Sequence, residues 1–404
     1  MGPLAGLKVI DLTHIMAGPT CTLMLADMGA DVIKIEKVPG GDDTRRSIPP
    51  TLGPADKAEA AAFMVMNRNK RGMALNLKTE SGREVLKRLL QSADVLVENY
   101  RPGALEKLGL GYASLREDNP GLIYCALSGF GRTGPYADKR GFDLMAQAMS
   151  GIMSITGEGP DRPTIKCGAP LTDITAGILA AMGILAAYTH RLKTGQGQMV
   201  ESSLLEAGIT HTYWQSAIAF ATGVAPGPMG SAHPLSAPYQ AFDTADGRLV
   251  IGGSNQSNWL RLVDALEAPE LAANPRFREN KDRMAHLPEL EAALAAYFKQ
   301  RTTAEWLQLF DACGVPAGPV NNMLEMQQDP QVLAREMVVE VEHKTLGPVK
   351  TLGLPVKFSD TPGKVRSGAP LYGQHSREIL NEYGYSEQDI QRLVEEQAVV
   401  LAQD

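Results

Sequence analysis

The sequence predicts an α/β fold whose first part is a parallel, Rossmann-like sheet. Three observations predict it. Strand and helix signals alternate from the start of the chain to Arg140, the strands are short and β-branched or apolar throughout, and amphipathic or turn-rich sequence separates them. Runs apolar on both faces are what a sheet covered on both sides requires, and helical crossovers make such a sheet parallel. Lys8–Leu12 (KVIDL) is the first strand, followed by Gly18-Pro19 and a helical pattern through Ala30. Asp31–Glu36 (DVIKIE) and Gly72–Leu77 (GMALNL) are the next strands. Over Ser81–Ala93 the spacing of Val85, Leu86, Leu89 and Leu90 predicts a helix with Lys87 and Arg88 outward. Asp94–Glu98 (DVLVE) and Leu122–Leu127 (LIYCAL) complete the series.

From Asp143 to Thr222 the chain is rich in Ala, Gly and Met and is expected to be mostly helical, its small residues allowing close packing. The Pro/Gly-rich run Gly223–Pro238 interrupts it. A smaller α/β unit follows, with strands at Gln240–Asp243 and Leu249–Ile251 and helices at Trp259–Leu266 and Pro288–Gln300. Pro330–Pro370 reads as extended, with strands at Val338–Glu342 and Val349–Thr351. Helices near Gln374–Tyr383 and Ser386–Glu396 are expected to return to the first domain. At roughly 100–200 residues per domain, 404 residues suggest two or three.

Composition narrows the function. A net charge of −7 gives no long-range basic field to steer the chain to nucleic acid. Cys21, Cys125, Cys167 and Cys313 form no CxxC pair, and the seven histidines form no HxxxH or HExxH, so neither a zinc site nor a dithiol is expected. The start, Met1-Gly2-Pro3-Leu4-Ala5-Gly6, has no basic region leading into an apolar one. The longest apolar stretch, Ala176–Tyr188, falls short of a bilayer span. The chain is expected to be soluble and cytoplasmic.

Several residues can carry chemistry. Gly129-Phe-Gly-Arg-Thr-Gly134 matches a dinucleotide fingerprint after a strand. Pro135, Asp138, Lys139 and Arg140 follow instead of a helix, so a glycine-rich loop is the expected reading. Asp173 stands at the start of the most apolar helix and is either its N-cap or a nucleophile, its charge favoured by the helix dipole and kept from water by apolar flanks. Lys37, Lys70, Arg71, Lys78, Arg101, Lys107 and Arg140 fall at or near the carboxyl ends of predicted strands, where open parallel sheets bind ligands. Solvated surface charge is the alternative for each. His14 follows the first strand and His233 sits in the Pro/Gly-rich loop.

Over nearly its whole length the chain resembles the family III CoA-transferases, which include formyl-CoA transferase, carnitine CoA-transferase and alpha-methylacyl-CoA racemase. The resemblance rests on ordered motifs: PLAGLKVIDLTHIMAGPTCTLMLADMGADVIKIEKVPGGDDTR at the start, NRNKRGMALNLKTESGREVLKRLLQSADVLVENYRPGALEKLGLGY, SGFGRTGPY, LTDITAG, RLKTGQGQMVESSLLEA, HPLSAPYQAF and GVPAGPV. It implies a large Rossmann-like domain built from residues 1–222 and 329–404, a small α/β domain at 223–328, and an interlocked homodimer of ring-like protomers.

By the same resemblance Asp173 is the catalytic nucleophile, forming an acyl anhydride and then an aspartyl-CoA thioester. CoA is a substrate, and no metal or prosthetic group is implied. CoA is expected near His14, Met16, Ala17, Lys37, Leu75, Lys78, Asn99, Tyr100, Arg101, Lys107, Arg140 and Leu204. Phe142 stands two residues beyond Arg140, where the racemase branch carries a proton-relaying histidine, which argues against racemisation. Ser47 and Gly230–Ser236 depart from the formyl-CoA transferase pattern. The expected activity is therefore CoA transfer between small carboxylic acids, of a succinyl-CoA or dicarboxylate type, with racemisation or formyl-CoA:oxalate transfer as alternatives. Arg45, Arg46 and His233 are expected to hold the acceptor's distal carboxylate.

Overall fold

A seven-stranded sheet organises the larger part of the molecule in a computed structural model that describes residues 1–45, 50–55 and 57–402. Across the sheet the strands are Val399–Val400, Arg71–Leu75, Asp31–Glu36, Lys8–Asp11, Val95–Glu98, Ile123–Ser128 and Met199–Ser203. Six run parallel, and Val399–Val400 closes one edge antiparallel to Arg71–Leu75. Ile10 stands opposite Ile33 on one side and Leu96 on the other. Side chains alternate between two cores. Ile10, Ile33, Met73 and Leu96 face one with Leu86, Leu89, Ile379 and Leu393. Val9, Val32, Val95 and Val97 face the other with Cys21, Leu25, Ala180 and Ile184. Both faces are covered, which is why these strands are apolar throughout.

The early elements stand close to where the sequence places them. Thr79 accepts the Gly82 N–H and caps the Glu80–Leu90 helix, and the preceding strand ends at Leu75. The C-terminal helices Ser376–Glu382 and Glu387–Glu395 pack Ile379, Leu380, Ile390 and Leu393 into the same core as Leu86, so the end of the chain completes the first domain.

Three features differ from expectation. Met199–Ser203, in a stretch expected to be helical, is the far edge strand, with Cys125 opposite Val200. The chain divides into residues 1–152, 167–212 and 330–404 as one unit and 153–166 with 213–329 as the other, so 153–166 and 213–222 leave the first domain. The apolar helix runs from Leu171 to Thr194, well past the Ala176–Tyr188 run, and is by length and composition long enough to cross a membrane. It lies against the sheet through Ala176, Ala180, Ile184 and Ala187. At Gly177 it crosses the Ala17–Asp27 helix so closely that a Cβ would stand 2.5 Å from the Ala17 carbonyl oxygen. Any larger residue there must push the two helices apart. The helix stops at Gly195, whose φ of 75° is the left-handed C-terminal cap conformation.

The second unit has a three-stranded antiparallel sheet, Ala317–Pro319, Arg248–Gly252 and Tyr239–Asp243, over a core of Phe242, Trp259, Leu294, Phe298, Trp306 and Phe310.

Candidate active site

Asp173 is the third residue of the Leu171–Thr194 helix, whose N-cap is Pro170, so it is not the cap the sequence allowed for. Asp143 takes the role that a cap would have. One of its carboxylate oxygens accepts both the Thr172 N–H (3.0 Å) and the Thr172 hydroxyl (2.8 Å), and the other accepts the Gln147 amide at 2.7 Å. Among the described residues no hydrogen-bond donor or cation meets the Asp173 carboxylate. Burial pushes its pKa up, and the charge on Asp143 adds to this, bringing it to about 6. At neutral pH it is ionised, more basic than an ordinary carboxylate, and free to attack.

The helix begins after the Ile123–Ser128 strand and leads to the parallel strand Met199–Ser203, which sets Asp173 at the carboxyl edge of the sheet. The loops leaving neighbouring strands converge there. A cleft of about 150 Å³ is lined by His14, Ile15, Met16, Ala17, Asn99, Leu127, Ser128, Gly129, Gly141, Phe142, Asp173 and Leu204. Its walls are largely apolar, which sustains the Asp173 shift. Asn99 fixes the loop after the first strand by accepting the His14 N–H (3.0 Å) and donating to the His14 carbonyl (2.8 Å). Burial lowers the His14 pKa, keeping its imidazole neutral at pH 7.

Of the residues expected around CoA, this cleft gathers His14, Met16, Ala17, Asn99 and Leu204. A second cavity of about 140 Å³ shares His14 and adds Lys37 and Tyr100. Lys78, Arg101, Lys107 and Arg140 are exposed and border neither cavity, although the first three follow strands that end at this edge. Leu75 is a correction: its side chain is 1% exposed within the sheet core, packed against other apolar groups instead of facing a ligand.

The basic and acceptor residues need further correction. Lys70 is wholly buried, donating to Asp11 (3.1 Å), the Asn67 side chain and the Pro19 carbonyl. Arg71 begins its strand and pairs with Asp31 and Glu382. Arg45 is turned inward. Its guanidinium bridges both Glu36 oxygens (2.7 and 2.8 Å), donates to the Pro370 carbonyl and stacks over Phe63, 3.5 Å from the ring centre. Three of its five N–H donors are so engaged and a fourth stands 3.4 Å from Glu59, so the buried guanidinium faces the protein interior, whereas its sequence neighbourhood suggested an outward cation. Arg46 and Ser47 lie outside the described residues. His233 belongs to the second unit, where its ring meets Trp214 and Tyr239 edge-on and Nδ1 accepts the Leu235 N–H.

The glycine motif is a loop. Gly131 and Gly134 have φ of 92° and 82°, and the next helix starts only at Asp143. Gly129 and Gly141 touch backbone to backbone at the cleft rim, where a Cβ on Gly129 would stand 2.6 Å from the Gly141 Cα. Arg132 pins this loop through Glu98 (3.0 Å) and Glu106. Neither Asp143 nor Ile15 stands out in the sequence, because Thr172, which Asp143 holds, is distant along the chain and the Ile15 feature is a backbone angle. Among the described residues no three His, Cys, Asp or Glu side chains gather as a metal would need.

An unpartnered carboxylate at the ligand-binding edge of a parallel sheet, flanked by apolar walls, is an arrangement suited to acyl transfer on a Rossmann-like domain. The family model of CoA-transferase family III matches residues 4–376, and the chain belongs to that family. It is a CoA-transferase, with coenzyme A as a thioester substrate. Succinyl-CoA:glutarate CoA-transferase of Homo sapiens is 38% identical over 94% of this chain and 86% of its own. Succinyl-CoA:mesaconate CoA-transferase of Haloarcula marismortui is 40% identical over 95% of this chain and 97% of its own. The crystal structure of a CAIB/BAIF family protein from Brucella suis superposes with a TM-score of 0.85 at 40% identity, covering 95% of this chain and 99% of that one.

Proposed function

We propose that the protein exchanges CoA between succinyl-CoA or a similar donor and a small dicarboxylic acid, with Asp173 as the nucleophile. The observation that carries this reading is the unpartnered Asp173 carboxylate in the apolar cleft. An Asp173 oxygen bonds to the thioester carbonyl carbon, the C–S bond breaks, and CoA leaves as thiolate. The thiolate then attacks the Asp173 carboxyl carbon of the mixed anhydride. The donor acid departs as carboxylate and an aspartyl-CoA thioester remains. The acceptor carboxylate attacks that thioester and expels the thiolate again. Thiolate attack on the acceptor's acyl carbon releases the new acyl-CoA and restores the Asp173 carboxylate. No proton is gained or lost over the cycle, and each intermediate retains one activated carbonyl, as a thioester or an anhydride.

The dicarboxylate reading is supported by the two relatives that act on glutarate and mesaconate. Arg45 no longer supports it, since its guanidinium is turned inward. With succinyl-CoA as donor, glutarate, mesaconate or succinate is expected to exceed acetate or propionate in kcat/KM by about 100-fold, the scale of a distal carboxylate met by a charge-assisted hydrogen bond. Equal rates with both classes would remove the dicarboxylate assignment and leave the nucleophile untouched. Phe142, on the cleft rim, has no ionisable group to move an α-proton, so no racemisation of a chiral acyl-CoA is expected.

A homodimer fits the exposed apolar surface. The Tyr213–Thr222 helix has no buried residue, and Phe220 is 89% exposed. Light scattering is expected to give twice the 43.4 kDa chain mass, and a monomer at micromolar concentration would refute it.

A further inference from the structure

Ile15 lines the cleft beside Asp173 with a φ of 68°, a left-handed conformation that a β-branched side chain rarely adopts. Such strain persists only where surrounding groups impose it. Residues 13–15 join the Lys8–Asp11 strand to the Ala17–Asp27 helix, and side chains from elsewhere hold them. The Thr13 N–H and hydroxyl both donate to Asp11 (2.9 and 2.6 Å), and the Thr13 carbonyl accepts from the Lys34 ammonium. Asn99 holds both backbone groups of His14. The Ile15 N–H donates to Asp42 Oδ1 at 3.3 Å, while Asp42 Oδ2 pairs with Lys34 at 2.9 Å. Both members of that ion pair are buried.

Asp42 is itself well anchored. Thr44 donates its N–H (2.9 Å) and hydroxyl (2.8 Å) to Oδ1, and the Asp42 N–H donates to Glu36. Burial alone would raise its pKa, but Lys34 and the Thr44 bonds hold the carboxyl below its ordinary value, so it is charged at neutral pH. Just beyond Ile15, the N–H groups of Met16 and Ala17 have no acceptor among the described residues, and both residues line the cleft with Asp173.

We infer that Asp42 is a positioning residue for the transfer reaction. By holding the Ile15 N–H within the buried Lys34 pair, it keeps Ile15 left-handed and so sets the cleft wall and the start of the helix against Asp173. The inference rests on Asp173 as the nucleophile.

A double-mutant cycle tests it, because glycine adopts the left-handed backbone of Ile15 without steric resistance. Asp42→Ala alone is expected to lower kcat by about 10–100-fold, the cost of misplacing a reacting group by about an ångström, with the acyl-CoA KM changed less than about threefold. In an Ile15→Gly background the same change is expected to cost less than about threefold in kcat. Equal factors in the two backgrounds, or an unchanged kcat in Asp42→Ala, would overturn the inference.

If Asp42→Ala does not fold around its unpaired Lys34, Ile15→Pro leaves the ion pair intact and forces φ to about −65°. It is expected to lower kcat by about 100-fold with the folded circular-dichroism spectrum retained. Retention of kcat within about threefold would overturn the inference. Hydroxylamine trapping of wild type with acyl-CoA is run first. Absence of an Asp173 adduct overturns the nucleophile reading and this inference with it, whereas an adduct with equal factors overturns this inference alone.

Discussion

Asp173→Asn is expected to lower CoA transfer by about 10⁴–10⁶-fold, the scale on which removal of a covalent nucleophile acts, while stabilising the protein at neutral pH. The two effects share one cause. Burial raises the Asp173 pKa from 3.8 to about 6 in the folded state. Between those values the folded protein binds the proton more tightly than the unfolded chain, so stability falls as pH rises, and above about 6 the deficit is constant. The shift corresponds to about 3 kcal/mol, and the favourable placement of a negative charge in the first helical turn offsets about 0.3–1 kcal/mol of what an amide would gain. A net gain of about 2–3 kcal/mol is expected for Asp173→Asn at pH 7, vanishing below about pH 4. Urea unfolding at the two pH values measures it. The wild-type exchange rate is expected to fall as pH drops through about 6, because the protonated carboxyl cannot attack. Exchange within tenfold of wild type in the Asn variant would end the covalent mechanism, and a loss of stability at pH 7 would refute the assigned burial effect.

Asp11→Ala is expected to have the largest effect on stability, about 3–5 kcal/mol, with no group in the cleft altered directly. Asp11 is fully buried and accepts from Thr13, the Thr22 hydroxyl (2.6 Å) and Lys70. Burial lowers the Lys70 pKa to about 8, against the pull of Asp11, so the ammonium is still charged at neutral pH. Removing Asp11 leaves that charge enclosed with no carboxylate in contact. Combining Asp11→Asn with Lys70→Met keeps an acceptor for the threonines and removes the orphaned charge, so the double variant is expected to recover most of the loss. The denaturant midpoints of the set measure this. A loss below about 1 kcal/mol in Asp11→Ala would show that water or rearrangement compensates the pair.

Much of the fold was legible because local patterns and tertiary burial agree. The Asp31–Glu36 strand has the bounds its apolar run predicts, and Glu80–Leu90 buries the face its spacing marks. Met199–Ser203 was not legible. Its M-V-E-S-S sequence has little strand character of its own, and its pairing partner Ile123–Ser128 lies far back along the chain, before the whole Leu171–Thr194 helix. The second unit's claim on residues 153–166 was hidden for a similar reason, since non-local packing decides it. At the site, Asp173 could be singled out by its place at the start of an apolar helix. The sequence had no means of telling cap from nucleophile, because that depended on whether Asp143 would take the Thr172 donors.

The sequence by itself determined the alternating α/β architecture and the family, since both follow from order and periodicity along the chain. It put Lys70 and Arg71 near a carboxyl edge, however, whereas Arg71 opens its strand at the amino end. Only the tertiary structure decided which charges face inward. Lys70, Arg71 and Arg45 look alike in sequence to Lys37, Lys78 and Arg140. The first three are closed into ion pairs with Asp11, Asp31 and Glu36, whereas Lys78 and Arg140 are exposed and Lys37 meets Asp43 at the surface. The physical reason is that a charge's role depends on the distance and burial of its counter-charge. Those are set by segments such as Pro370 and Glu382, which lie near the opposite end of the chain from Arg45 and Arg71.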